Sequence, residues 1–155
     1  MRRLALVLPV VMVVACGGGT SGGLSKADYL KQAEAICANA NDDQKAVKTP
    51  TAVTDLAPYV AKILALADSA TKAIGALEPP KTDKADLDAK VLTPLKGQLA
   101  AGHVYSDQVA AAAAKNDQAA LIKLLSSPPS GSKADLAWMR SYGFVECVNS
   151  ADTEN

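Results

Sequence analysis

The three cysteines and the single histidine are the residues of this 155-residue chain best suited to covalent or acid–base chemistry. Cys16 follows an N-terminal segment that carries two arginines and then an apolar run over residues 4–14. The small residue Ala15 stands directly before it, as the cleavage site of an export signal requires. This order of charge, apolar run, small residue and cysteine predicts a bacterial lipobox, in which the sulfur of Cys16 is acylated.

Acylation of Cys16 predicts attachment through lipid to the extracytoplasmic face of the cell membrane. The apolar run of about ten residues is too short for a membrane-spanning helix, which needs about 20, so residues 1–15 are interpreted as a cleaved signal peptide. Several acyl chains, palmitate among them, hold a protein on a bilayer far better than one chain does. Residues 16–23 then form the lipidated cysteine and a flexible, glycine-rich tether. The alternative is an ordinary secretory signal in which Cys16 is incidental.

Cys37 and Cys147 are the two cysteines that remain in the mature chain. An exported protein with one even pair in an oxidising compartment most simply joins the two, so we predict a Cys37–Cys147 disulfide. Two buried, unreactive thiols are the alternative. A metal-binding or catalytic cysteine is a weaker interpretation of the same residues.

His103 offers little chemistry of its own. No G-x-S-x-G motif marks a nucleophile for it, and Ala100 occupies the position where a bundle-borne metal site would need glutamate. Tyr105 lies two positions further on, about 200° around a helix, so the two side chains cannot share a haem-facing surface. The sequence therefore predicts no catalytic residue, no cofactor and no metal site, and a protein that is not an enzyme.

The charge balance disfavours nucleic acid as a partner. The chain has 16 basic and 16 acidic residues, and cleavage after Ala15 would remove two arginines and leave a small acidic excess. Phosphate binding needs a concentrated basic face, which this composition lacks. The length fits one domain with its own core, which we place at residues 24–150, followed by a disordered tail at 151–155.

Helical periodicity predicts an all-α fold, a small bundle of four to five helices with one disulfide. Alanine is abundant, aromatic residues are few, and no segment alternates β-branched and polar residues as a strand would. Pro94 predicts a kink in the long third helix, because proline removes a backbone donor. The predicted helices cover about 25–47, 54–77, 83–115, 117–125 and 132–143.

The last predicted helix carries the main aromatic pair, Trp138 and Tyr142. Residues four apart share one helix face, so the two rings predict a candidate contact patch at the seam between the first and last helices. We expect Trp138 to be mostly buried and Tyr142 to keep its hydroxyl near solvent. Ordinary core packing of both rings is the alternative.

The order of several short motifs resembles a group of small exported lipoproteins of actinobacteria, the high-GC Gram-positive bacteria. The matching stretches, in order, are Asp28-Tyr29-Leu30 leading to Ala35-Ile36-Cys37, Leu77-Glu78-Pro79-Pro80, Lys115-Asn116-Asp117, and Tyr142-Gly143-Phe144 leading to Cys147. The resemblance implies a helical bundle with one cysteine in the first helix and another after the last, at the same cellular location. It carries over no functional site residues.

These observations favour a lipid-anchored, non-catalytic binding or interaction module. Its membrane contact is made through Cys16, and its further partner is a protein or an apolar small molecule. The alternative function is a carrier of an apolar small molecule or lipid in a groove between helices, which the many small alanines would permit.

Overall fold

A computed structural model describes residues 23–129 and 133–152, and within those ranges the chain forms helices and no strand. The predicted all-α bundle is therefore confirmed. A 3₁₀ turn at Val53–Asp55 leads into the second helix, and a π-turn lies within the third. The helices of the described ranges are α1 (Lys26–Lys45), α2 (Leu56–Gly75), α3 (Lys84–Leu87, the π-turn Asp88–Leu92 and Thr93–Ala114), α4 (Gln118–Ser126), α5 (Leu136–Tyr142) and α6 (Glu146–Asp152).

Most helix ends are set by residues that neighbour them in sequence. Ser25 caps α1, Asp117 caps α4, and Asp135 caps α5 through a 2.9 Å bond from the Trp138 amide. Asn116 and Gly143 end α3 and α5 in the left-handed conformation, with φ of 52° and 118°. The predicted start of the last helix at 132 was wrong: Ser132 lies outside the described residues, residues 133–135 are not helical, and α5 begins at Leu136 after its cap Asp135.

A π-turn directly precedes Pro94, the residue at which the sequence predicts a kink. Pro94 has no N–H to offer the Lys90 carbonyl, and the Thr93 amide bonds five residues back, to the carbonyl of Asp88. The Lys90 carbonyl instead accepts a 3.0 Å hydrogen bond from the backbone N–H of Asp135. The unpaired carbonyl that proline creates in α3 thus fixes the start of α5.

The buried side chains form two clusters. One joins α1, α3, α5 and α6, and its most enclosed members include Tyr29, Leu87 and Val148. The other joins α3 and α4 around Val109 and Leu121, with the start of α2 packed against it. The first cluster lies beside the start of the domain, and the second lies beside the turn between α3 and α4.

Helix α6 was not expected from the sequence, and it makes the helix count six in the described ranges where four to five were predicted. It runs through Asp152, so residues 151 and 152 are helical and do not form a tail; residues 153–155 lie outside the described part. Its N-terminal amides are bonded by a distant side chain, because Glu34 of α1 accepts from Val145 at 3.0 Å and from Glu146 at 2.6 Å. No capping residue next to α6 in the sequence predicts where this helix begins.

The predicted disulfide is confirmed next to this cap. Cys37 and Cys147 are joined with an S–S distance of 2.01 Å and a Cα–Cα distance of 5.0 Å, across a sequence separation of 110 residues. The bond and the Glu34 carboxylate together hold the first turn of α6 against α1. Val148, one residue beyond the cysteine, is 1% exposed in the core.

We expect Glu34→Gln to lower the free energy of unfolding by about 1 kcal/mol, the usual scale of a lost helix cap, because a neutral amide oxygen is a weaker acceptor for amide donors. Urea denaturation at neutral pH measures the change. Asp43→Asn is the matched control, since Asp43 is an exposed carboxylate on the same helix, and it should change stability by less than about 0.5 kcal/mol. Equal effects of the two variants would contradict the capping role.

Candidate functional site

The chain enters the bundle beside the loop between α2 and α3. The amide of Leu24 donates a 2.9 Å hydrogen bond to the Glu78 carbonyl. Gly23 has a φ of 82°, and a β-carbon at this position would overlap the carbonyl oxygen of Pro79, so only glycine fits. The start of the domain is therefore fixed at the end of the bundle where α1 and α3 begin.

The aromatic residues of α5 lie at this same end of the bundle. The ring of Tyr142 stacks between Trp138, at a centroid distance of 4.8 Å, and Phe144, at 5.6 Å. Phe144 in turn meets Tyr29 of α1 edge to face at 6.4 Å. We call these four residues the aromatic cluster; its rings run from the core out to the surface of α5.

The predicted exposures of the two α5 rings were wrong in their order. Tyr142 is 8% exposed and belongs to the core, whereas Trp138 is only partly buried at its edge. The Tyr142 hydroxyl does not need water, because it donates a 2.7 Å hydrogen bond to the carboxylate of Asp83 at the start of α3. Trp138 is therefore the more exposed of the two rings.

Two lysines cover the faces of these rings. The ammonium of Lys26 lies 4.1 Å from the centroid of Tyr142, and that of Lys90 lies 4.9 Å from the centroid of Trp138. Lys90 also pairs with Asp86 at 3.0 Å. Cations over aromatic faces are attracted by the ring quadrupole, so α1 and α3 each contribute one positive charge that stabilises the packing of α5.

The Tyr142–Asp83 pair keeps its proton on the phenol. Hydrogen bonds from Tyr142 and then Thr82 lower the pKa of Asp83, and the charge of Lys26 acts in the same direction. Burial, followed by the bond to Asp83, raises the pKa of Tyr142. Because the two pKa values move apart, the pair is a hydrogen-bonded clamp between α3 and α5 at neutral pH.

His103 lies away from this cluster, where it joins α3 to α2. Its Nε2 is 2.9 Å from the carboxylate of Asp68, and both side chains are largely exposed. Tyr105 faces α4 instead and donates to the Leu124 carbonyl at 3.4 Å. Within residues 23–129 and 133–152, no three His, Cys, Asp or Glu side chains gather as metal ligands would.

An open groove of about 540 Å³ runs between α3 and α4, at the end of the bundle far from Gly23. Its apolar lining consists of Ala111 and Ala112 of α3 and Ala120 and Leu124 of α4. The charged residues along it are Lys115, Asp117 and Lys123. Alanine at the facing positions leaves the space between the two helices unfilled.

The structure thus brings some of the predicted site residues together and separates others. Cys37 and Cys147 are bonded, and Trp138 and Tyr142 are stacked, whereas Cys16 lies outside the described residues. The sequence did not point to Asp83 or to the groove. A partner 59 positions from Tyr142 has no local signal, and the alanines of the groove fit the ordinary helical pattern.

Comparison with protein-family models, with curated proteins and with solved structures finds no match to this chain. In the part of the chain that the structure describes, no helix is both long enough and apolar enough to cross a membrane.

Proposed function

We propose that this chain is a membrane-anchored extracytoplasmic lipoprotein of the small actinobacterial type that acts as a non-catalytic binding or interaction module. The observation that carries the proposal is the sequence around Cys16, with its preceding apolar run and its following glycine-rich tether.

The position of Gly23 predicts which end of the bundle an anchor at Cys16 would hold near the membrane. Six residues, 17–22, lie between Cys16 and Gly23, and a segment of that length reaches at most about 25 Å when fully extended. An acylated Cys16 would hold the start of α1, the α2–α3 loop and Trp138 close to the lipid surface. The groove between α3 and α4 would face away, because α3 extends about 45 Å from its start to that turn.

We expect Cys16→Ala to abolish acylation and to move the protein out of the membrane fraction. Cell fractionation together with mass spectrometry of the intact protein measures both effects. Thr20→Ala, a substitution within the tether, is the control and should leave both unchanged. A Cys16→Ala protein that still carries acyl chains would contradict the lipobox interpretation.

A second candidate function is transport or storage of an apolar small molecule. The groove between α3 and α4 favours it, because an open space of about 540 Å³ lies between the two helices and four apolar side chains line part of it. Its lining of alanine and leucine side chains suits an apolar ligand.

A further inference from the structure

We infer that the outer edge of Trp138 lies in the headgroup layer of the membrane that holds this protein. The partner surface is then a lipid bilayer, and it faces the entry end of the bundle, which consists of Gly23, the start of α1 and the loop between α2 and α3. This inference deepens the proposed binding function by naming its partner, and it rests on the anchor at Cys16.

The segment between the anchor and the domain limits which surface can meet lipid. Residues 17–22 reach at most about 25 Å when fully extended, and the close fit of Gly23 against Pro79 fixes the point at which they leave the bundle. Val104 lies about 30 Å further along α3 than Lys84 does. A short tether therefore keeps the entry end at a high effective concentration beside the bilayer, so that a weak contact is sufficient.

Trp138 is the large ring closest to the surface at this end of the bundle. It stacks at 4.8 Å on Tyr142, and the ring of Tyr142 lies 4.1 Å from the ammonium of Lys26 in the first turn of α1. The Tyr142 hydroxyl is bonded to Asp83 at the start of α3. These contacts place the indole one turn of α5 away from the residues that surround the entry point.

The edge of the indole is polar and reaches the surface. The ring of Tyr142 and the ammonium of Lys90 cover the faces of the indole. Its N–H bonds to no group in the part of the chain that the structure describes, and no buried side-chain nitrogen or oxygen there lacks a partner, so the N–H is open to the surroundings. An apolar ring with an outward donor is the form of side chain favoured at the level of lipid headgroups.

The charges near Trp138 do not require an anionic lipid. Lys84 pairs with Asp88 at 3.1 Å, and Lys90 pairs with Asp86 at 3.0 Å. Because these lysines already face carboxylates, an anionic bilayer gains little over a zwitterionic one, and the indole edge supplies the contact.

Fluorescence of the acylated protein in vesicles tests this inference, because Trp138 is the only tryptophan of the chain. The protein is purified from its own membrane and reconstituted into phosphatidylcholine vesicles that carry a nitroxide on the headgroup or at the end of an acyl chain. We expect the headgroup nitroxide to quench about half of the emission or more and the chain-end nitroxide to quench little. Equal emission in labelled and unlabelled vesicles, or stronger quenching by the chain-end nitroxide, would overturn the inference.

Acrylamide, a soluble quencher, separates docking from tethering alone. Its quenching of Trp138 should be about twofold weaker in the anchored protein than in unanchored Cys16→Ala, because the headgroups shield the indole edge. Trp138→Phe combined with Val104→Trp is the control, since it moves the tryptophan to a position of α3 that is 59% exposed and far from the entry end. Neither the nitroxides nor anchoring should change the emission of this control, and equal shielding at the two positions would contradict the inference.

Lipid charge provides a further arm. Replacement of part of the phosphatidylcholine by anionic phosphatidylglycerol should leave the quenching of Trp138 unchanged. Quenching that appears only with phosphatidylglycerol, and that high salt removes, would overturn the assignment of the contact to the indole edge.

Vesicle flotation and mass spectrometry of the same sample report on the anchor separately. Acylated protein that floats with the vesicles while Trp138 stays unquenched would overturn this inference and leave the anchoring proposal intact. Protein that carries no acyl chain and stays in solution would overturn both.

Discussion

Replacement of both Cys37 and Cys147 by alanine should lower the free energy of unfolding by about 4 to 5 kcal/mol. The bond closes a loop of 110 residues, and a cross-link over that length restricts the unfolded chain by this amount in the chain-entropy treatment. Urea denaturation of the oxidised wild-type protein and the double variant measures the difference.

The single variants provide the control for this prediction. Cys37→Ala and Cys147→Ala should each cost nearly as much as the double variant, because either substitution removes the whole bond. Thiol labelling of the folded wild-type protein without reductant should modify neither cysteine. A double variant within about 1 kcal/mol of wild type would show that the bond contributes little, contrary to the loop-closure argument.

Tyr142→Ala should lower the free energy of unfolding by about 3 to 5 kcal/mol, as expected for truncation of a buried aromatic ring. The ring is 8% exposed and stacks against Trp138 and Phe144, so its removal leaves a cavity in the core. Tyr59→Ala is the control: Tyr59 is only half-buried, beside a polar groove at the end of α1, and should cost clearly less. Equal losses for the two variants would contradict the assignment of Tyr142 to the core.

Tyr142→Phe keeps the ring and tests the clamp to Asp83 through its dependence on pH. The pKa of Asp83 is lowered in the folded protein, so the carboxylate stabilises the fold fully above its ordinary pKa of 3.8. This stabilisation is lost as the pH falls through the lowered pKa. The pKa of Tyr142 is raised in the folded protein, so the protonated hydroxyl stabilises the fold fully below its ordinary pKa of 10.0. This stabilisation is lost as the pH rises towards the raised pKa.

Wild type should therefore exceed Tyr142→Phe in stability most at neutral pH. The difference should shrink as the pH falls below 3.8 through the lowered pKa of Asp83, and again as the pH rises above 10.0 towards the raised pKa of Tyr142. Denaturation at several pH values measures this profile. A difference that is constant with pH would mean that the hydroxyl contributes through packing and not through the carboxylate.

The parts of the fold that the sequence predicted are those set by neighbouring residues. Ser25, Asp117 and Gly143 lie at helix ends because each acts on amides or carbonyls within one turn, so their effect can be read from a short window of sequence. The disulfide was predictable for a different reason, since two cysteines allow one pairing.

The parts that the sequence did not predict depend on distant partners. Helix α6 is capped by Glu34, which is 111 residues away from Val145 in sequence. Asp135 pairs with a carbonyl in the π-turn of α3, which no periodicity of either helix reveals. Helix propensity and local capping rules contain no information on such contacts, so α6 was missed.

The order of burial of Trp138 and Tyr142 shows the same limit within a single helix. The spacing of four correctly placed the two rings on one face. Which ring lies inside is decided by Phe144 on one side and by the acceptor at Asp83, and both became known only from the tertiary structure. The size of a side chain did not decide the matter, since the larger indole is the outer ring.

The disulfide also determines how this protein would respond to mechanical tension. A pull applied between the two ends of the chain passes along the backbone to Cys37, crosses the sulfur–sulfur bond to Cys147 and continues to the C-terminus. The segment between the cysteines, residues 38–146, lies off this path, so the disulfide shields α2, α3, α4 and α5 from this load. Tension between the two ends therefore acts on the segments outside the disulfide loop, and the groove between α3 and α4 lies inside that loop.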